Sequence, residues 1–309
     1  MQQKYRIAIL GIGGVGGFVG GKLAAAYSQS NDVEVIFIAR GRHAQAIKEN
    51  GLKLITAEGE IIVRPDIVAD GTSDIGAVDL LICCTKTYDL ENSIKLLSSS
   101  LTPDTIILPL LNGVDSTEQL QLLLPDAKVL QGCIYLVSKI IEPGVVQQRG
   151  EFYSVHFGGD KSLAADMAKV AELFKHANIN AVAEENIYEK IWSKFSFISP
   201  VATYTSAHNI SIGKILESEE HTASIKQLMA ELLTLAHALH INLPADTIEK
   251  NFAVMGKLPY EASSSMQADF ANKKSTELET LTGSVVRKAA EQGIELVAYA
   301  NMYQLLRER

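Results

Sequence analysis

Gly11-Ile12-Gly13-Gly14-Val15-Gly16 reads as G-x-G-x-x-G, set between the apolar run "YRIAIL" and a helical stretch reaching about Ser28. A strand, a glycine turn and a helix start in that order form the context in which such a loop cradles a diphosphate. Gly11 permits the tight turn, Gly13 lets backbone approach the anion, and Gly16 lets the helix sit close on the strand. The diphosphate then rests on free amides at the helix N-terminus, within the segment Gly11, Ile12, Gly13, Gly14, Val15 and Gly16.

The second apolar run, "VEVIFIA", ends in Ala39-Arg40-Gly41-Arg42, and its acids, Asp32 and Glu34, stand at the opposite end. An acid is therefore missing where a ribose 2′-hydroxyl would need one. A guanidinium there can grip a 2′-phosphate with two parallel bonds, so Arg40 favours NADPH over NADH. Arg42 reads more readily as a solvated charge. Lys86 follows "VDLLICCT" and Asn112 follows "TIILPLL", both at the carboxyl edge of strands. Ligands bind at that edge in open α/β sheets. Asn112-Gly113 alone would pass for an ordinary turn.

These residues need a scaffold, and the first half of the chain supplies one. Apolar runs at 5–10, 33–39, 78–85, 105–110 and 127–137 alternate with helical segments at about 42–50, 89–99 and 115–123. That pattern predicts a doubly wound parallel sheet of Rossmann type. Residues 140–159 break the alternation and predict an antiparallel hairpin extension, closed by a helix near 161–176. Beyond Glu184 the strand signal ends. Ile225, Leu228, Met229, Leu232, Leu233, Leu235 and Ala236 form the stripe of a packed helix, and the tail predicts two further helices split by Gly293. Two domains follow: residues 1–183, α/β and dinucleotide-binding, and residues 184–309, all-helical.

Bulk properties narrow the partners. The 309 residues are 47% hydrophobic and carry a formal charge of −8 without a long basic run, which disfavours nucleic acid and anionic membranes. Cys83, Cys84 and Cys133 form no CxxC pair, so no metal site and a reducing, cytoplasmic setting are expected. The apolar opening from Ile7 to Gly21 is shorter than the roughly 20 residues a membrane helix needs. It lacks a cleavage pattern, and Gly13, Gly17 and Gly21 match GxxxG without the apolar span that motif requires.

Taken in order, "GIGGVGG", "ARGRHAQAIKENGLKL", "CTKTYD", "LLNGVD", "IWSKF" and "SSSMQADFANKKSTELETLTG" resemble the ketopantoate reductases (2-dehydropantoate 2-reductases) over nearly the whole chain. The resemblance implies a Rossmann domain followed by a helical domain like that of 6-phosphogluconate dehydrogenase, NADP(H) as cofactor, and a branched 2-keto acid as substrate. By motif it makes Lys194 the general acid and Glu277 the glutamate that contacts substrate and supports that lysine. Ser265 takes the substrate carboxylate, and Asn112 lies near nicotinamide and substrate. Lys86 and Arg40 become cofactor contacts. The chemistry accepts these types, because hydride delivery to a ketone leaves an alkoxide that needs a proton. Of Glu277 and Glu279, one is expected at the surface.

The chain departs from the family where asparagines are expected four and eight residues after the lysine. Ile198 and Ala202 stand there, on the same helical face as Lys194. Thr203, Tyr204 or Ser206 are candidates for replacement polar contacts. Reduction of a different 2-keto acid and non-catalytic NADPH sensing are the alternative readings, and a homodimer through the helical domain is a possible partner state.

Overall fold

The computed structural model describes residues 4–70 and 74–309. It divides into two compact units, one holding the described residues up to Leu111 with Ser116–Ile187, the other Asn112–Asp115 with Tyr188–Arg309.

The first unit opens with β1 (Tyr5–Leu10), α1 (Gly14–Tyr27), β2 (Val33–Ile38) and α2 (Gly41–Asn50). Three strands follow, β3 (Leu52–Thr56), β4 (Gly59–Val63) and β5 (Ile67–Ala69), then β6 (Leu80–Cys83), α3 (Thr87–Leu97), β7 (Ile106–Pro109), α4 (Ser116–Leu123) and β8 (Lys128–Val129). It closes with β9 (Gln131–Tyr135), β10 (Ser138–Glu142), β11 (Val145–Gln148), β12 (Ser154–Gly158), α5 (Ala164–His176) and β13 (Ala181–Ala183).

Six strands form a parallel sheet in the order β5-β2-β1-β6-β7-β8. The chain runs outward from β1 to β5, then returns to build the other half from β6, so its direction of winding reverses between β1 and β6. Both faces of β1 are buried, which explains its unbroken apolar run. Ile7 and Ile9 pack with Phe18, Val19 and Leu23 of α1, while Ala8 and Leu10 pack with Leu90 and Ile94 of α3.

Three features differ from the sequence-based expectation. The 127–137 run divides, because β8 joins the parallel sheet whereas β9 pairs antiparallel with β12. The hairpin is β10–β11, yet β11 also lies parallel to β3 in a four-stranded sheet, and residues 154–158 belong to a separate sheet. The β3–β4 hairpin was not expected at all. Its two-residue loop, Ala57-Glu58, is not a glycine or asparagine pair, although Gly59 (φ +128°) follows it, and the apolar run of β4, Ile61-Ile62-Val63, is only three residues long and mostly exposed.

The second unit is helical: α6 (Ile187–His208, from Tyr188 onward), α7 (Ile212–Glu217), α8 (Glu219–Ala238), α9 (Thr247–Met255), α10 (Ser265–Ala271), α11 (Ser284–Glu291) and α12 (Val297–Arg307). A π turn, Glu279–Gly283, leads into α11. The predicted stripe on α8 is buried except at Leu233, which is half-buried because it lies off the line of the others. Glu231, also on α8, serves a different end. Its carboxylate accepts from the amides of Ala298 and Tyr299 at 2.9 and 3.0 Å, capping the start of α12.

Candidate functional site

In the first unit, chemistry gathers where three helices begin. Gly11 has φ of +90°, a conformation that side chains resist, and a Cβ there would lie 2.8 Å from Thr85 backbone. A Cβ at Gly16 would collide with the Gly11 carbonyl oxygen, so the helix can seat against the turn only without one. Gly13 is the opposite case, with nothing within 4 Å of the same position. It is the N-cap of α1, which has no side-chain cap and no acid in its first turn.

α2 and α3 also start without side-chain caps, and their N-cap residues are Arg40 and Lys86. A cation at a helix N-terminus opposes the helix dipole, which an anion relieves. Bare amides and an open cradle over Gly13, with Arg40 at the start of α2 and Lys86 at the start of α3, whose first turn also holds Asp89, fit the phosphates of a dinucleotide. Arg40 is exposed, its Nη2 3.3 Å from Ser93 Oγ on α3. Glu34 is engaged by Arg6 at 2.7 Å, away from the carboxyl end of β2. His43, in the first turn of α2, accepts at Nδ1 from the Gly144 amide at 3.0 Å and so ties the β10–β11 turn to α2. Burial pushes its pKa down, with the Ile12 carbonyl opposing.

In the second unit, Lys194 on α6 donates from Nζ to Asn112 Oδ1 at 2.9 Å. The turn holding Asn112 is wedged against the π turn, since a Cβ at Gly113 (φ +99°) would lie 2.5 Å from Thr280 Cγ2. The amides of Thr280 and Leu281 return to the Glu277 carbonyl at 3.1 and 2.9 Å. Asn112 thus links Lys194 to the helical turn that Glu277 opens. Glu277 is 3% exposed. Glu279 is the surface acid, bonded to Arg287 and to Tyr303 at 2.6 Å each.

Ser265 is exposed at the first residue of α10, outside these contacts. Its neighbour Ser264 caps that helix and meets Thr205 of α6 at 2.9 Å. Ile198 is half-buried and Ala202 buried. Two of the suggested replacements already have protein partners. Thr203 bonds Thr282 at 2.7 Å, Tyr204 bonds His221 at 2.8 Å, and Ser206 is buried. Thr203 and Tyr204 thus satisfy hydroxyls within the helical unit, whereas the Ser206 hydroxyl is buried without a partner among the described residues. Sequence reasoning missed Thr280, and His156 with Glu184 at 2.6 Å, because neither contact has a local sequence signature. Among the described residues no cluster of three or more His, Cys, Asp or Glu could hold a metal ion, and no helix is long and apolar enough to cross a membrane.

Residues 7–161 match the family described as ketopantoate reductase PanE/ApbA, and residues 186–309 match ketopantoate reductase PanE/ApbA C terminal. The uncharacterized oxidoreductase YkpB of Bacillus subtilis (strain 168) is 26% identical, the alignment covering 96% of each chain. The crystal structure of 2-dehydropantoate 2-reductase from Porphyromonas gingivalis W83 is 33% identical, covers 99% of this chain and 100% of its own, and superposes with a TM-score of 0.85. The ternary structure of D-mandelate dehydrogenase with NADH and anilino(oxo)acetate shares the fold at TM-score 0.88 and 23% identity, covering 98% of this chain and 97% of its own.

Proposed function

Because the chain belongs to the ketopantoate reductase PanE/ApbA family of oxidoreductases, we propose that it reduces 2-dehydropantoate to pantoate with NADPH, in pantothenate biosynthesis. The observation that carries this reading is the 2.9 Å bond from Lys194 Nζ to Asn112 Oδ1, which joins two residues 82 positions apart. A reduced nicotinamide, when bound, supplies the hydride. Reduction of a ketone leaves an oxyanion that needs a proton, and Lys194 holds that proton at Nζ. Asn112 aims the ammonium by accepting one of its hydrogens, and an ammonium has three donors, so this bond is compatible with another to a substrate oxygen. The same positive charge stabilises the developing oxyanion.

Glu277 acts as counter-charge and substrate contact from its buried place at the helix start. Ser265 takes the substrate carboxylate. The amides of Gly14, Val15 and Gly16, with Lys86 and Asn112, hold the cofactor, and Arg40 grips its 2′-phosphate. Support for NADPH comes from Arg40 at the N-cap of α2 and from the absence of an acid at the end of β2.

Ile198 and Ala202 favour a second reading, a 2-keto acid less hydroxylated than ketopantoate, since apolar side chains cannot bond substrate hydroxyls. Oxidation of NADPH and of NADH, followed with ketopantoate and a panel of unbranched, branched and aromatic 2-keto acids, separates the two. Ketopantoate with NADPH should give the highest kcat/KM. A decisive win for an apolar keto acid selects the second reading, and tight NADPH binding with every keto acid inert would leave a non-catalytic sensor.

A further inference from the structure

α6 contains Pro200 in its interior, a position that weakens an ordinary helix. Proline has no N–H, so the carbonyl of Ser196, four residues earlier, loses its helical donor. Asn251 of α9 replaces it, Nδ2 donating to Ser196 O at 3.0 Å and reaching Ser196 Oγ at 3.2 Å. Both residues are buried, and Lys194 lies two positions before Ser196.

The residue just before the proline is held as well. Ser199, fully buried, donates to the Leu281 carbonyl at 2.6 Å and lies 2.7 Å from the Tyr299 hydroxyl. Serine has one proton and a carbonyl only accepts, so Tyr299 must donate to Ser199. Burial holds the Tyr299 phenol well above its ordinary pKa and keeps that donor protonated. One turn on, Thr203 pairs with Thr282. Leu281 and Thr282 belong to the π turn, the extra-residue turn that follows Glu277.

We propose that Asn251 and Ser199 are positioning residues: Asn251 ties the stretch of α6 before Pro200 to α9, Ser199 ties it to the π turn, and together they hold Lys194 and Glu277 at a fixed separation. The inference rests on Lys194 being the proton donor of the proposed reaction.

The test compares Ser199→Ala, Asn251→Leu and Tyr299→Phe with the wild type. It follows ketopantoate reduction by NADPH, NADPH binding, and the titration of Lys194 read from its 13Cε resonance in the free protein. Ser199→Ala and Asn251→Leu should each lower kcat about 10-fold, as misplacement of a reacting group does, while KM and the NADPH Kd stay within about twofold. Both should displace the Lys194 titration midpoint, and Ser199→Thr, which keeps the hydroxyl, should restore it. Variants that melt earlier but leave kcat and the Lys194 titration unchanged would overturn the proposal. If neither folds, Tyr299→Phe decides by the same readouts; if ketopantoate is not turned over, the titration alone decides. Lys194→Ala separates the two layers. Unchanged turnover in that variant removes the proton-donor reading and the positioning role with it. Turnover lost there, but intact with an undisturbed Lys194 in the other variants, overturns this inference alone.

Discussion

The start of α1 and the π turn after Glu277 are both helix openings fitted to chemistry, yet they are built in opposite ways. At α1 the work is done by missing side chains: Gly16 admits the Gly11 carbonyl, and Gly13 leaves its amide end bare. At the π turn it is done by side chains, with Ser199, Thr203 and Thr280 each meeting a partner from another segment. Backbone sites are specified by a local spacing of residues. Side-chain sites are specified by contacts across the unit, so each member can be lost separately. The first kind should fail abruptly and the second by degrees.

The sharpest break in that comparison is Gly16 against Gly13. Gly16→Val puts a side chain into the Gly11 carbonyl, and over-packing of up to about 3 kcal/mol corresponds to about 100-fold weaker NADPH binding, with a lower Tm. Gly13→Ala adds its methyl to open space, so the free protein should melt as the wild type does while NADPH binding weakens. Equal loss of Tm in both variants, followed by thermal melts without cofactor, would erase the distinction.

A smaller effect tests the 2′-phosphate grip. Arg40→Ala should weaken NADPH about 30-fold, within the range for loss of a charge-assisted bond, and leave NADH binding unchanged. Fluorescence titration with the two nucleotides reads both values.

The smallest effect concerns His43. Its folded-state pKa is lowered by burial, so its contribution to stability is present above the unfolded value and disappears as pH falls through the folded one. Protonation also sets an Nδ1–H against the Gly144 amide, which now donates to that nitrogen. Melts between pH 7 and 4.5 should show Tm falling on acidification below about pH 6.5, with a shallower fall in His43→Gln.

The same contrast explains what could be read from the chain beforehand. The glycine loop, Arg40 and Lys86 were legible because a parallel sheet puts strand ends and helix starts in predictable places. The β3–β4 hairpin was not, since β4 is mostly exposed with only three apolar residues in a row, and Gly59 follows its loop as a lone turn residue. In the helical unit, Lys194 and Glu277 stood out only through resemblance to a family. Helical periodicity tells which residues share a face but not which neighbour that face meets, so it did not show that Thr203 would pair with Thr282 and Tyr204 with His221. Nor does periodicity show that Asn112 will reach Lys194, or that Asn251 will serve a carbonyl 55 positions away that Pro200 has stripped of its donor.

The central claim is that Lys194 delivers the proton, and single-turnover reduction of ketopantoate by pre-bound NADPH tests it most directly. Lys194→Ala should slow that turnover by about 1,000-fold, within the span of general acid catalysis, while NADPH binds as tightly as before. Turnover at the wild-type rate in Lys194→Ala would contradict the account.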